Sequence, residues 1–474
     1  MKKNIKVILV GLLLIMFSYI GMDLFKEYLY YNDDAYMVRR MDEVVEEKIK
    51  RIKETTDFNL RVVLAVELID FVKSDNLISS YYSLDEVEKV LVEFAKKYDV
   101  ELSNEVKKKS VLHYSTAVYQ VGGHSRVIER WIENSPDDEV HSFAFSTTSI
   151  FPDRLVDAVK NKGGEIIDLS DKKNVVEKAL ELRRIASSYE KVVLHVFGND
   201  YIPLIAFGTE NFKRPVFLFN QIDHLFWVGV SIADCVVDYR KYGDEILKKY
   251  RGGKVNRIIP LPVDFELKHK YTREEAREML NLPLDKKIVF SSGYGYKFMP
   301  QDGYNFGDFM EKFYQKRKDV LFVLVGPNAD MLGIKGKIPQ ESYLFLESMP
   351  NDEYLKYLAA ADIVIDSMPF SGGLTVVDAI IAKKPVLSLK TKFSQNDFII
   401  ESSAYKETME ELVESAVELY DDKEKAKDLW QAQFNALKER HGVEVWRKQI
   451  KELYDTFKTH SVHDFKSVKK EYEN

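Results

Sequence analysis

Short apolar runs alternate with amphipathic helical segments along most of this chain, and the alternation occurs in two blocks. The first block begins near Ser110 with VLHYSTAVYQ and continues through HSFAFS, EIIDLS, VVLHVF, PVFLFNQ and CVVDYR. The second block contains KIVFSSG, VLFVLVG, YLFLES, DIVIDS and PVLSL. Uninterrupted apolar strands between helices are typical of parallel sheets covered on both faces. The pattern therefore predicts an α/β protein with two doubly wound domains.

The segments around the two blocks predict the domain organisation. The chain before the first block is charged and has helical periodicity, as in MDEVVEEKIKRIKE. The proline-containing stretch RIIPLPVDFEL separates the blocks and indicates a linker. We therefore predict four parts: a helical extension (1–108), a first domain (109–262), a second domain (263–440) and a C-terminal helix with a polar tail (441–474). Residues 460–474 are predicted to be loosely ordered.

The N-terminal segment 5–22 reads IKVILVGLLLIMFSYIGM and contains one charge, at Lys6. Its length is close to the minimum for a membrane span, and it lacks a signal-peptide cleavage site. Two interpretations stay open: an uncleaved membrane anchor, and a buried helix of the extension. In an anchor, the basic residues at its start would favour an N-terminus inside the cell.

Composition and charge narrow the class of protein. Apolar residues make up 45% and charged residues 31% of the chain, as in folded globular proteins. The net charge of -7 argues against nucleic acid as a partner, because nucleic-acid-binding proteins display a basic face. The single cysteine, Cys235, excludes an intrachain disulfide and favours a reducing compartment. We therefore expect a cytoplasmic protein, associated with a membrane if residues 5–22 anchor it.

The first candidate ligand site lies in DIVIDSMPFSGGLTVVDAIIAKKPVLSL. A strand ends at Asp366, a loop contains Gly372 and Gly373, and a helix is predicted from Thr375. Glycines let the backbone approach a ligand, and free amides at a helix N-terminus attract phosphate. Asp378, one turn later, is placed to accept hydrogen bonds from ribose hydroxyls. The alternative is that T-x-x-D is a capping box on an ordinary helix.

A second site is predicted in VFSSGYGYKFMP, where a strand leads into a glycine-containing loop with Lys297. A lysine just beyond a strand end is placed to neutralise the negative charge of a departing diphosphate. The alternative is an ordinary solvated lysine. The loop is not a G-x-G-x-x-G fingerprint, and the chain contains no Walker A sequence.

A third site is predicted in YQVGGHSRVIERW of the first domain. Gly122 and Gly123 indicate a strand-to-helix turn that faces the cleft. His124 could orient or deprotonate an acceptor, and Arg126 could bind phosphate or carboxylate. The alternative is that His124 caps the helix and Arg126 is exposed.

Two weaker pairs follow strands of the same domain: Asp223 with His224, and His195 with Asp200. An acidic residue beside a histidine could supply a general base, although a buried structural histidine fits each pattern equally well. No group of Cys, His or acidic residues has metal-ligand spacing, and no G-x-S-x-G motif occurs.

Together these motifs resemble the GT-B glycosyltransferases. AADIVIDSMPFSGGLTVVDAIIAKKPVLS is similar to the nucleotide-diphosphate segment of the O-GlcNAc transferase and bacterial protein N-glucosyltransferase group. SGYGYKFMP resembles the lysine loop of that group, and VGGHSRVIERW the Gly-Gly turn of family-4-like transferases. The resemblance implies that Lys297 and Thr375 contact the diphosphate and Asp378 the ribose, and that Tyr296, Gly372 and Gly373 also belong to the donor-binding site. Through the match of ESMPNDEYLKYL, it places Met349 and Asn351 near uracil.

The resemblance implies a function and leaves several points open. It implies two Rossmann-like domains, a UDP-sugar co-substrate, no metal and a hexosyltransferase-like reaction with an unknown glycan, lipid or protein acceptor. Phe370 stands eight residues before Asp378, where many family-4 enzymes carry a glutamate, so the stereochemistry stays open. Two alternatives remain: a UDP-sugar epimerase of the same fold, and a catalytically degenerate partner or chaperone protein.

Overall fold

A computed structural model describes residues 34–74, 80–120, 123–148, 150–195, 197–263, 265, 271–391 and 402–470. The hydrophobic segment 5–22 and Gly122 lie outside these ranges. Among the described residues, no helix combines the length and the apolar character needed to cross a bilayer. An anchor at residues 5–22 therefore stays a prediction.

The described part of the N-terminal extension is helical, as predicted, and belongs to the core of the first domain. It contains α1 (Asp34–Glu54), α2 (Phe58–Ser74) and α3 (Asp85–Ala95). Leu68 and Leu91 of these helices share a buried apolar cluster with Leu112 and Val192 of the first sheet. Burial of this face, rather than helix propensity alone, stabilises the extension.

The first domain contains a seven-stranded sheet in the order β3-β2-β1-β4-β5-β6-β7, and every neighbouring pair is parallel. Its strands are β1 (Lys107–Ser115), β2 (Val140–Phe145), β3 (Ile166–Asp168), β4 (Tyr189–His195), β5 (Val216–Asn220), β6 (Cys235–Asp238) and β7 (Asn256–Ile258). The helices between them are α4 (Gly123–Asn134), α5 (Asp153–Asn161), α6 (Val175–Ala186), α7 (Ile202–Phe207) and α8 (Lys241–Ile246).

The second domain begins with α9 (Arg273–Met279) and contains a six-stranded parallel sheet in the order β10-β9-β8-β11-β12-β13. Its strands are β8 (Lys287–Ser292), β9 (Val320–Val325), β10 (Tyr343–Leu346), β11 (Ile363–Ile365), β12 (Val386–Leu389) and β13 (Tyr405–Lys406). The remaining helices are α10 (Phe306–Lys316), α11 (Asn351–Ala360), α12 (Leu374–Ile381), α13 (Met409–Asp421) and α14 (Lys423–His441).

The two strand orders place a ligand site in each domain. Each order reverses direction beside its first strand, between β1 and β4 and between β8 and β11. Open parallel sheets bind ligands outside the carboxyl ends of the strands at such a switch point. The predicted α/β architecture with two Rossmann-like sheets is thus confirmed, and the loops that the sequence singled out after β1, β8 and β11 all lie at these positions.

The C-terminal segment crosses back to the first domain. Trp446 of α15 (Val443–Thr456) packs edge-on against Trp131, with ring centroids 5.7 Å apart. Beyond the helix, the two ring nitrogens of His460 bond to Asp234 and to the carbonyl of Phe207, at 2.9 and 2.8 Å. The prediction of a loosely ordered tail is therefore wrong for residues 460–470, because buried hydrogen bonds fix a segment whose composition is polar.

Candidate active site

A cavity of about 410 Å³ lies between the carboxyl ends of the two sheets and is lined by residues of both domains. It is large enough for a small-molecule ligand. The predicted site residues that line it are Gly123, His124, Arg126, His224, Tyr296, Lys297, Met349, Asn351, Gly372, Gly373, Thr375 and Asp378. Asp223 is fully buried and Gly122 lies outside the described residues.

The loop after β11 needs glycine at both positions. A Cβ at Gly372 would lie 2.1 Å from Thr375 Oγ1, and Gly373 has a φ of +66°. Helix α12 begins at Leu374, with Gly373 as the N-cap residue and no side-chain cap. The alternative of a Thr375–Asp378 capping box is therefore wrong, because Thr375 already lies inside the helix.

Asp366, at the end of β11, fixes the glycine loop through hydrogen bonds. Its buried carboxylate accepts hydrogen bonds from Ser371 Oγ (2.6 Å), the Gly372 amide (2.7 Å) and Ser388 Oγ (3.1 Å). Burial raises the pKa of Asp366, although these bonds oppose the rise. Because the Gly372 amide is engaged by Asp366, the backbone amides without an intrahelical partner are those of the first turn of α12.

Lys297 reaches the same loop from β8. A short 3₁₀ helix, Gly295–Phe298, carries it, and its Nζ donates a 2.7 Å hydrogen bond to the carbonyl of Ser371. Burial lowers the pKa of Lys297 to about 8, against the opposing effect of the Asp366 charge. Lys297 is therefore not an ordinary solvated lysine. At the rim, the ring of Tyr296 stacks on that of Tyr294.

The first domain forms the opposite wall. A Cβ at Gly123 would lie 3.8 Å from Leu374 Cδ1, so the turn after β1 faces the turn after β11. His124 Nε2 lies 2.8 Å from Ser115 Oγ, and His124 Nδ1 contacts the amide of Gln221. Burial lowers the pKa of His124 to about 4, which keeps the imidazole neutral near pH 7.

Asp378 joins the two domains. Its carboxylate accepts hydrogen bonds from Arg126 at 2.7 and 3.1 Å and from Arg130 at 3.1 Å, all across the cleft. Burial would raise the pKa of Asp378, but the two arginines bring it below its usual value. The predicted ribose ligand thus lies on the cavity wall already paired with cations of α4. Arg126, predicted to bind a phosphate or carboxylate, binds the carboxylate of Asp378 within the protein.

Asp223, predicted to form a general base with His224, is instead paired mainly with Arg240. Arg240 donates to it through Nε at 2.5 Å and Nη2 at 2.6 Å, and His224 Nδ1 lies 3.2 Å from the same carboxylate. Burial would raise the pKa of Asp223, but the charge of Arg240 holds it well below its usual range. A carboxylate with a lowered pKa that is paired with a guanidinium is a poor general base. Asp223 therefore serves to hold Arg240 and His224, and it does not line the cavity.

His195 belongs to a row of buried histidines that the sequence analysis did not identify. Nitrogen-to-nitrogen distances of 3.0 Å from His195 to His113 and 2.9 Å from His113 to His141 link the three rings, and His141 continues to Glu139 at 3.2 Å. Asp200 instead accepts hydrogen bonds from Tyr114 and Thr116, so the predicted His195–Asp200 pair is wrong. The row arises because β2, β1 and β4 are neighbours in space, which chain order does not reveal.

This histidine row predicts a pH-dependent stability. Burial lowers the pKa of His141 to about 3 and those of His113 and His195 well below 6.5. Above pH 6.5 all three rings are neutral in both the folded and the unfolded protein. Below pH 6.5 only the unfolded chain takes up their protons, so the stability of the folded protein decreases as the pH is lowered. In His141→Gln the free energy of unfolding should depend less steeply on pH between 6 and 4, by about 1.4 kcal/mol per pH unit. Urea titrations of both proteins test this, and parallel slopes would contradict it.

The side chains of the wall that sequence reasoning missed include Gln221, Arg240 and Glu129. Arg240 could have been predicted from the sequence, because it follows the strand CVVD just as Lys297 follows KIVFSS. Gln221 and Glu129 have no such signal. Within the described ranges, no group of three or more His, Cys, Asp or Glu side chains is arranged to hold a metal ion. Metal independence stays a prediction.

Several solved structures resemble this two-domain architecture. A glycosyltransferase from Rickettsia africae is 14% identical, with a TM-score of 0.55 over 75% of this chain and 99% of its own. An O-GlcNAc transferase variant from Thermobaculum terrenum is 12% identical, with a TM-score of 0.55 over 92% and 86%. Anabaena HepE, solved with UDP-glucose, is 14% identical, with a TM-score of 0.51 over 73% and 99%.

No family model matches the chain, and no curated protein matches it in sequence. At identities of 12–14% the likeness to solved structures concerns the fold. It agrees with the two parallel sheets and the cleft between them, and the chain therefore has the fold of the GT-B glycosyltransferases.

Proposed function

We propose that the protein transfers a sugar from a UDP-sugar to an acceptor hydroxyl held by the first domain. The observation that carries the proposal is the meeting of Lys297 with the Gly372–Gly373 junction on one wall of a cavity that His124 lines from the other domain. A cation, the first turn of a helix and a glycine turn together suit a diphosphate. The UDP-glucose bound to the structurally similar HepE supports this choice of donor.

In this reaction the bond between the anomeric carbon and the β-phosphate oxygen breaks, and its electron pair goes to the phosphate. The acceptor oxygen forms the new bond to the anomeric carbon, and its proton passes to a base. Lys297 stabilises the charge that develops on UDP. His124 is our candidate for the residue that orients the acceptor, since its neutral ring can accept a hydrogen bond from the acceptor hydroxyl once that hydroxyl replaces the Gln221 amide at Nδ1. Met349 and Asn351 lie at the start of α11, on the side of the cavity proposed for uracil.

Ligand-dependent stabilisation tests the donor. UDP at a hundred times its dissociation constant should stabilise the folded protein by about 2.7 kcal/mol, because ligand that binds only the folded state shifts the equilibrium. A thermal-shift series with UDP, GDP, ADP and a panel of UDP-sugars measures this, and the purine nucleotides serve as matched controls. A folded protein with no shift for any nucleotide or UDP-sugar would remove the proposal. Conversion of UDP-GlcNAc into its epimer without an acceptor would establish the epimerase instead.

A further inference from the structure

Arg240 of the first domain, like Lys297 of the second, follows the carboxyl end of a strand and lines the cavity. It follows the carboxyl end of β6 and stands one residue before α8, and its side chain lines the same cavity as Lys297. Its side chain is 13% exposed, so its guanidinium is held in a largely dry environment. Electrostatic interactions in such an environment are stronger than in water.

The guanidinium is fixed before any ligand arrives. The fully buried Asp223 accepts two hydrogen bonds from it, at 2.5 and 2.6 Å. The rings of Tyr239 and Tyr242 flank it, with centroids 5.2 and 5.3 Å from Cζ. A group held in this way loses little conformational entropy when it binds an anion. A planar guanidinium can also bind a carboxylate along one edge and a phosphate along another.

The cavity therefore contains one partly buried cation from each domain. Lys297 hydrogen bonds to the Ser371 carbonyl and lies near Asp366, while Arg240 is paired with Asp223. Burial has the largest effect on the pKa of Lys297 and lowers it; among the nearby charges Asp366 and Asp223 raise it and Arg240 lowers it, so Lys297 and the Arg240–Asp223 pair interact across the cleft. An anion between Lys297 and Arg240 would be attracted by both cations. The diphosphate of the proposed donor carries the required negative charge.

We propose that Arg240 is a second ligand of the donor diphosphate, contributed by the first domain and acting together with Lys297 of the second. This inference rests on the proposed function. It makes Arg240 a group that touches the leaving group and Asp223 the residue that positions it. The two domains then share the charge of departing UDP, so charge stabilisation depends on a closed cleft.

Calorimetry with two probes, UDP and uridine, tests the proposal, because the two differ only in the diphosphate. Arg240→Gln should weaken UDP binding roughly 10- to 100-fold, the effect of losing a charge-assisted hydrogen bond. Uridine binding should stay within about twofold, since the proposed contact of Arg240 is with the diphosphate, which uridine lacks. The matched control is Arg257→Gln, which removes an exposed arginine from the adjacent β7 and should change neither affinity.

Arg240→Gln leaves Asp223 buried without its cation and risks misfolding. The double variant Arg240→Gln with Asp223→Asn removes both charges, and it should show the same selective loss of UDP affinity. If wild-type protein binds UDP and both variants keep the ratio of UDP to uridine affinity, the assignment of Arg240 is overturned while the proposed function stands. If wild-type protein binds neither UDP nor a UDP-sugar, the proposed function itself fails.

Discussion

Replacing Lys297 with alanine is expected to reduce the turnover number for sugar transfer by roughly 10²- to 10³-fold, as when one preorganised donor is removed from an oxyanion site. The ammonium group lies at the glycine junction, 2.7 Å from the carbonyl of Ser371. Its charge contributes most when the bond to UDP breaks, so the turnover number should fall more than the substrate affinity. Initial rates with a UDP-sugar found in the thermal-shift series measure this effect.

The matched control is Lys337→Ala, which removes an exposed lysine of the same domain and should leave the rate unchanged. A pH profile provides an independent readout. Because burial lowers the pKa of Lys297 to about 8, wild-type kcat/KM should decline above that pH, and Lys297→Ala should lose this alkaline limb. Lys297→Ala with a wild-type turnover number would show that the leaving group is stabilised elsewhere.

Replacing Asp378 with alanine is expected to lower the free energy of unfolding by about 3 to 5 kcal/mol, the effect of leaving buried cations without their partner. Arg126 and Arg130 would lose the carboxylate that lies 2.7 and 3.1 Å from them, in a contact where the Asp378 side chain is 4% exposed. Chemical denaturation followed by tryptophan fluorescence measures the change. Trp131 and Trp446, close to this interface, make the signal sensitive to it.

Asp428→Ala, which removes an exposed acid of α14, is the control and should change stability by less than about 0.5 kcal/mol. A triple variant with Asp378→Leu, Arg126→Met and Arg130→Met should recover much of the stability, because no charge is then left unpaired. Wild-type stability in Asp378→Ala together with weaker UDP binding would instead show that Asp378 acts only as the predicted ribose ligand. UDP calorimetry on the same variant separates the two roles.

Local pattern determined the architecture of this protein. Apolar runs at VVLHV and VLFVLV predict buried strands, and the helical periodicity between them indicates a parallel sheet with covered faces. That the glycines at 372 and 373 and the lysine at 297 lie at a cavity was also predictable, because a parallel strand followed by a glycine-containing loop is a local signal for a cleft. These features depend on residues that are close together in the chain.

Tertiary structure decided what each side chain does. The pairing of Asp378 with Arg126 and Arg130 joins residues about 250 positions apart, and the histidine row joins three strands. The same holds for Asp223, whose neighbour His224 suggested a base but whose carboxylate is held by Arg240. Charge, burial and hydrogen bonding are properties of a three-dimensional neighbourhood, and in this fold that neighbourhood forms only when two separately wound sheets meet at their carboxyl ends.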